Sequence, residues 1–564
     1  MPEIRALFGD TRTVRIERPD AVWFIRGVTN VDRKTLERYT DSGEEEKLCL
    51  TYGDALAVRI TTGTRPVVTA WKALFSTHDL YWCVRPTGDV IVADHVRNLL
   101  ATLPIAERAP NDLTIAGHYM ALKQMAPLTM SAGVERIENA TRLTIDAASG
   151  AVTKTIFDRI PDDAAKRPKA EYVSALDEAL YEALDEITDP ASTAMLFSGG
   201  VDSTLVFASR PELMQPLTFV PTTPEFAEET EYARRAAALL GVELEEVVVP
   251  EDNLLAGLVK AAEVSGVPSY DTSDHFFHHL FEHTPYTAFV GGNGADSAFG
   301  SGMRLTRFSN WFRTTPSRQI LEAVAPHAGG HLGYRLRQVS SNASTLSKDP
   351  WDPDGWAGET RSYAVTPLVE QVLDPGSMTE TKQRQFAFVR DRSENVGNGP
   401  NDFLSHLEIS HWMAVLNSQM WENRLGLIPF GKQAIGPFCD WRVLNAAASI
   451  PLEDRYIAGM RGKWILKDLL ASKVPDYPIN QRKKATALPW KRYYTDGPLE
   501  DFFEEYPVPD VFTGAHRRQL IEEPDDTTLS AMSHAIWQRH VEKNPDLTPT
   551  AVVESYTATF GSIT

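Results

Sequence analysis

Apolar residues recur along this chain in two rhythms, and the change from one to the other divides it. Up to about residue 160 they come in short β-branched or aromatic runs, VWFIRGV, KLCLTYG, ALAVRITTG, DLYWCVRPTGDVIVADH and RLTIDAASGAVTKTIFD, separated by turn signals such as TG and SG. These runs predict strands. Two stretches with helical spacing, HVRNLLATL and IAGHYMALKQM, interrupt them, so residues 1–165 are expected to form an α+β layered domain. PDDAAKRPKA at 161–170 is polar and contains proline, the composition of a linker. Beyond it EYVSALDEALYEALDEI has helical spacing, and strand and helix patterns then alternate. A strand at 193–197 leads to a helix from 202, the strand LTFVP at 217–221, the helix ETEYARRAAALLG and the strand ELEEVVV. Helices from about 251 and at DHFFHHLFEH precede a strand at YTAFVGG. Such alternation predicts an α/β unit, residues 170–564, with a parallel sheet covered by helices on both faces. Within it, residues 303–400 are rich in Arg, Trp, Ser and Pro and read as an insertion or lid, helical at 317–325 and 380–392; the tail from 505 reads as helical and polar.

Ligands of parallel sheets sit beyond the carboxyl ends of the strands, where Ser198 to Ser203, Val220 and Gly291 to Asp296 fall. In AMLFSGGVDST (194–204) a buried strand runs into a glycine turn and then a helix. The first N–H groups of such a helix have no helical partner and point the same way, with the positive end of the dipole behind them, which makes a seat for an anion. Gly199 and Gly200 let backbone approach a phosphate, and Ser198 and Ser203 can add hydroxyl donors. Asp202 does not suit a bare anion; it suits one that arrives with Mg²⁺, which takes carboxylates alongside phosphate oxygens. The GxxxxGK[ST] pattern is absent.

Composition narrows the partners. A chain of 564 residues with 43% hydrophobic and 23% charged residues is ordinary globular material. A formal charge of -20 argues against binding to a nucleic-acid polymer, whose affinity comes from clustered Lys and Arg. No segment is long and apolar enough to span a bilayer, and the first residues lack the pattern of a secretory signal, so no membrane partner is expected. Cys49, Cys83 and Cys439 are too scattered for a disulfide framework or zinc knuckle, which fits a cytoplasmic protein. His275, His279 and His283 share helical spacing, but no HExxH and no second ligand cluster accompany them, which favours an ordinary helix face over a metal site.

SGGVDST resembles the pyrophosphate-binding loop of the ATP-dependent ligases that release AMP and pyrophosphate, the superfamily containing asparagine synthetase. VGGNGADSAFGSG (290–302) is similar to the family's segment that closes over the nucleotide, where Gly292 would contact ATP and Asp296 matches the second metal-binding aspartate. Asn293 replaces the family's glutamate and Ser297 its following acid, which counts against amidation of aspartate. Pro437-Phe438-Cys439-Asp440 resembles the family's Pro-Phe-Leu-Asp, GKWILKDLL (462–470) its lysine-bearing helix and INQRKKATALPW (479–490) its Ile-x-x-Arg-x-Lys stretch. The resemblance implies Lys463 on the nucleotide phosphates. It also implies Lys484, with Lys483 as neighbouring competitor, where charge develops as the tetrahedral intermediate forms. Glu422 and Arg424 in WENR fall where β-lactam synthetases place a glutamate that helps deprotonate the attacking amine.

The layout of residues 1–165 is similar to the family's glutaminase half, a domain of the N-terminal-nucleophile type. That domain uses an N-terminal cysteine, whereas Met1 is followed here by Pro2 and no cysteine precedes Cys49, so a degenerate, scaffolding version is expected. With Asn293, the 303–400 stretch and the length, the chain looks most like a lasso peptide cyclase. That resemblance implies ATP and Mg²⁺, a ribosomal precursor peptide whose Asp or Glu side chain is adenylated and attacked by the core's N-terminal amine, a leader-binding protein and a leader peptidase. A β-lactam-forming or other small-molecule amide synthetase is the alternative enzyme, and a non-catalytic scaffold the alternative of another class.

Overall fold

The computed structural model describes residues 3–28, 31–63, 65–120, 127–160, 164–268, 274–300, 315–330, 366–397, 427–457, 462–479 and 489–557, with isolated positions between 332 and 412. The strands are β1 (Glu3–Phe8), β2 (Val14–Arg18), β3 (Ala21–Arg26), β4 (Leu56–Thr61), β5 (Val67–Lys72), β6 (Tyr81–Val84), β7 (Val90–Ala93), β8 (Glu135–Arg136), β9 (Thr141–Asp146) and β10 (Ala151–Ile156). After the linker come β11 (Thr193–Leu196), β12 (Gln215–Pro221), β13 (Glu245–Val249), β14 (Ala288–Val290), β15 (Gln433–Ile435) and β16 (Val552–Thr557).

The first part stacks two sheets, ordered β16-β1-β7-β6-β8 and β10-β9-β5-β4-β3-β2. Because side chains alternate across a strand, one strand can serve two cores. Ile4, Ala6 and Phe8 of β1 enter the core between the sheets with Phe24, Val58 and Leu143. Leu7 faces the other way, into a layer with Val96, Leu99 and Leu100 of the helix Val96–Thr102.

The structure departs from two expectations. KLCLTYG is not a strand; Glu45–Thr51 is a helix. Glu45, Leu48 and Cys49 are buried on one side of it, at helical rather than alternating spacing, and Glu45 accepts the Trp23 indole N–H at 3.0 Å. The tail is also not purely helical, because β16 returns to the first part and pairs antiparallel with β1 from Glu3↔Thr557 to Phe8↔Val552. VVESYT is rich in β-branched and aromatic residues, and the free edge of β1 supplies a partner that a local reading cannot see. Deleting residues 552–564 is therefore expected to bare the β1 edge and make the protein self-associate, detected as oligomers by light scattering.

The second part is a parallel sheet ordered β13-β12-β11-β14-β15, all neighbours parallel. The chain builds outward from β11 through β12 to β13, then returns to the opposite side of β11 with β14 and β15. The loops beyond the carboxyl ends of β11 and β14 lie at the point where strand order reverses, where ligands of such sheets sit. The core around this sheet takes Leu176 and Leu180 from the helix Lys169–Leu184, Leu205 and Phe207 from Val201–Ser209, and Leu466 and Leu470 from Trp464–Lys473. Leu74, Phe75 and Ile160 join the same core from the first part. Helices Thr315–Val324 and Pro375–Asn395 occur where spacing expected them; the rest of the proposed lid lies largely outside the described residues. No helix among the described residues is long and apolar enough to cross a membrane.

Candidate functional site

Two loops meet at the switch point, one following β11 and one following β14. The first turns at Gly199, whose φ of +67° is left-handed and whose added Cβ would lie 2.4 Å from the Tyr232 carbonyl oxygen, so only glycine fits. Gly200 then caps the helix Val201–Ser209 and, having no side chain, leaves its first N–H groups without a capping acceptor of its own. Ser198 Oγ and Ser203 Oγ lie 3.1 Å apart across the turn. The second loop packs onto the first: a Cβ on Gly292 would sit 3.2 Å from the Ser203 nitrogen and 3.3 Å from Asp202 Cβ. Gly294, at φ +97°, presses against Phe438 and Cys439, where an added Cβ would lie 2.6 Å from Cys439 Sγ. The Pro437–Cys439 turn thus backs the second loop, while Asp440 caps the helix Trp441–Ala448 and holds the Arg442 guanidinium at 2.7 and 2.9 Å.

From these loops Asp202 and Asp296 converge on one ammonium. Lys463 Nζ lies 2.6 Å from Asp202 Oδ2 and 2.7 Å from Asp296 Oδ1. Lys463 itself sits at φ +55°, a left-handed conformation unusual for lysine, immediately before the helix Trp464–Lys473. Strain of about 1–3 kcal/mol at such a residue persists where the surroundings over-determine it, and here two carboxylates and a packed helix do so. Val220 lies on β12 next to β11, in register with Val248. The structure therefore brings together Ser198, Gly199, Gly200, Asp202, Ser203, Gly292, Asp296 and Lys463. Lys483, Lys484, Glu422 and Arg424 lie outside the described residues.

Burial pushes the Asp202 carboxyl up from its ordinary value, Lys463 pulls it down and Asp296 adds a further upward push. Burial draws Lys463 down, but the two aspartates outweigh it and leave the ammonium more firmly protonated than usual. A raised aspartate is stabilising while protonated, and that contribution is lost as pH rises through its folded pKa, so at neutral pH the ionised Asp202 works against stability. Activity that needs this carboxylate ionised is expected to fall on the acid side at a pH above that of a free aspartate, about 4, as a kcat/KM profile run downward from neutral would detect.

The residues also fit a divalent cation. Asp202 Oδ1 is buried with no hydrogen-bond partner among the described residues, while its other oxygen and Asp296 already share a cation. A pair of carboxylates poised this way suits Mg²⁺ with phosphate oxygens completing its shell. The helix of the three histidines shows a different use: His279 and His283 stack at 4.0 Å, and His275 packs on Gly257.

Sequence reasoning missed two tyrosines. Tyr456 donates to the Ser297 carbonyl at 2.7 Å, steadying the short helix that carries Asp296, and Tyr477 donates to the Gly199 carbonyl at 2.7 Å. No spacing marks either one. A cavity of about 250 Å³ is lined by Cys439, Asp54, Thr77, Glu186 and Asp440 among others, and none of the expected site residues is among its described lining residues.

The sequence model of the family described as asparagine synthase matches residues 175–542. No match was found among curated proteins.

Proposed function

Since the chain belongs to the asparagine synthase family, an ATP-dependent amide-forming ligase fold, we propose that it closes a macrolactam in a ribosomal precursor peptide, adenylating an Asp or Glu side chain and releasing AMP and pyrophosphate. The observation that carries the ligase reading is the convergence of Asp202, Asp296 and Lys463 on the glycine turn at the switch point. For the substrate, support comes from Asn293, which stands where the resemblance has an acidic residue, and from the cysteines of the first part. Burial raises the thiol pKa of both Cys49 and Cys83, so neither offers the thiolate that would release ammonia from glutamine. Both features favour an amine already present in the substrate as the nucleophile.

In this reading the Gly200 turn and helix N-terminus receive the phosphates, and Ser198 and Ser203 add hydroxyl donors. Asp202 and Asp296 would hold Mg²⁺, which supplies charge stabilisation for the departing pyrophosphate. Lys463 brings a fixed positive charge to the same oxygens, and Lys484 serves the oxygen that becomes negative as the amine attacks. Glu422, with Arg424 two positions on, assists removal of the amine proton by accepting it on its carboxylate. Holding both ends of the ring-forming segment makes the attack effectively intramolecular. A leader-binding protein and a leader peptidase would deliver the core peptide with its amine free.

The test is incubation of the leaderless peptide with the protein, ATP and Mg²⁺. A product lighter by one water, with AMP formed in equal amount, is expected. ADP as the spent nucleotide would overturn the ligase reading, and pyrophosphate release triggered by a small amino acid instead of the peptide would overturn the substrate.

A further inference from the structure

The Gly199–Gly200 peptide is held from outside its own loop. Tyr477, from the segment after the helix Trp464–Lys473, reaches across 278 positions of sequence to donate its hydroxyl to the Gly199 carbonyl at 2.7 Å. A trans peptide is planar, and its C=O and N–H point in opposite directions. Tying the oxygen to one side therefore commits the Gly200 N–H to the other, where, among the described residues, it makes a long contact of 3.4 Å with Ser198 Oγ. Gly199 has the conformational freedom to turn this peptide over, and nothing in the glycine pair itself selects one orientation. Turned over, the peptide would offer phosphate an oxygen in place of a hydrogen-bond donor.

Resting on the ATP reading above, we propose that Tyr477 is a positioning residue that sets the Gly199–Gly200 peptide so that the Gly200 N–H is presented to the phosphates. The tyrosine is suited to it. Its ring packs against the large core around the parallel sheet, which limits its movement. Burial raises its phenol pKa and Asp202 adds to the rise, while Thr204 opposes them, so the hydroxyl keeps its proton where the enzyme works. Gly199 is also backed by Tyr232, so the turn is gripped on two sides and only its peptide plane is left for Tyr477 to decide.

The experiment compares Tyr477→Phe with wild type by calorimetric binding of inorganic pyrophosphate with Mg²⁺, together with KM for ATP, KM for the peptide and thermal melting. Loss of one hydrogen bond that orients a donor is expected to weaken pyrophosphate binding and raise KM for ATP by about tenfold. KM for the peptide and the melting temperature are expected to stay near wild type. Equal pyrophosphate affinity in the two proteins would overturn the role of Tyr477 while leaving the ATP reading intact. A lower melting temperature with both KM values raised together would show a structural role and overturn it as well. If wild type binds neither pyrophosphate nor ATP, the ATP reading fails and this proposal with it.

Discussion

Asp202→Asn is expected to lower ATP-dependent pyrophosphate release by about 10²–10³-fold while leaving the fold intact. Asparagine matches aspartate in shape and can still accept a hydrogen bond from Lys463, so the packing of the two loops survives. What disappears is the negative charge that, with Asp296, holds a cation against the phosphates. Burial works against the ionised form of Asp202, whereas its charge favours the Lys463 ammonium, so the neutral replacement is expected to change stability only modestly at neutral pH. Asp296→Asn is expected to be the milder change, since the Asp296 side chain is 59% exposed against 24% for Asp202, and water can replace part of what it supplies. Exchange of labelled pyrophosphate into ATP, measured beside circular-dichroism melts, separates the two contributions. If Asp202→Asn keeps more than about a tenth of the wild-type exchange, the carboxylate has no part in handling the nucleotide.

The second large effect falls on stability. Gly199→Ala is expected to cost about 2–4 kcal/mol, combining a left-handed φ with a methyl group driven into backbone. The methyl would lie 2.4 Å from the Tyr232 oxygen and 2.7 Å from its carbonyl carbon, and both belong to the helix Ala227–Leu240, which cannot yield as a side-chain tip would. The relief open to the chain is to shift the turn, which breaks the Tyr477 contact and moves the Gly200 N–H. A lowered urea midpoint accompanied by lost pyrophosphate binding is the expected pair of results. An unfolding midpoint equal to wild type would mean that the turn is loose and does not present a preformed site.

The parallel sheet was largely readable from the chain because its strands and helices announce themselves within short windows. A strand buried on both faces is a continuous apolar run, as in Ala194–Phe197, and the intervening helices carry their own spacing. The glycine turn was readable for a related reason: two adjacent glycines between a strand and a helix describe the backbone they permit. The first part was less so. KLCLTYG contains the β-branched, aromatic and aliphatic types of a strand, and what makes it a helix is a set of partners, Trp23 among them, that lie elsewhere in sequence. The tail strand shows the same limit, since VVESYT has strand-forming residue types yet acquires a partner only because β1 leaves an edge open.

By itself the sequence determined the local chemistry: which turns only glycine can make, where a helix begins with open N–H groups, and which side chains carry charge. Those depend on a residue and its near neighbours. The resemblance already implied that Asp202, Asp296 and Lys463 serve one nucleotide; tertiary structure alone decided that both carboxylates meet on the Lys463 ammonium, 261 positions from Asp202 along the chain, and that Tyr477 donates to the Gly199 carbonyl. Meetings of that kind follow from the order of strands in the sheet and from the core that docks the Trp464–Lys473 helix beside it. Neither of these leaves a mark at the residues that meet.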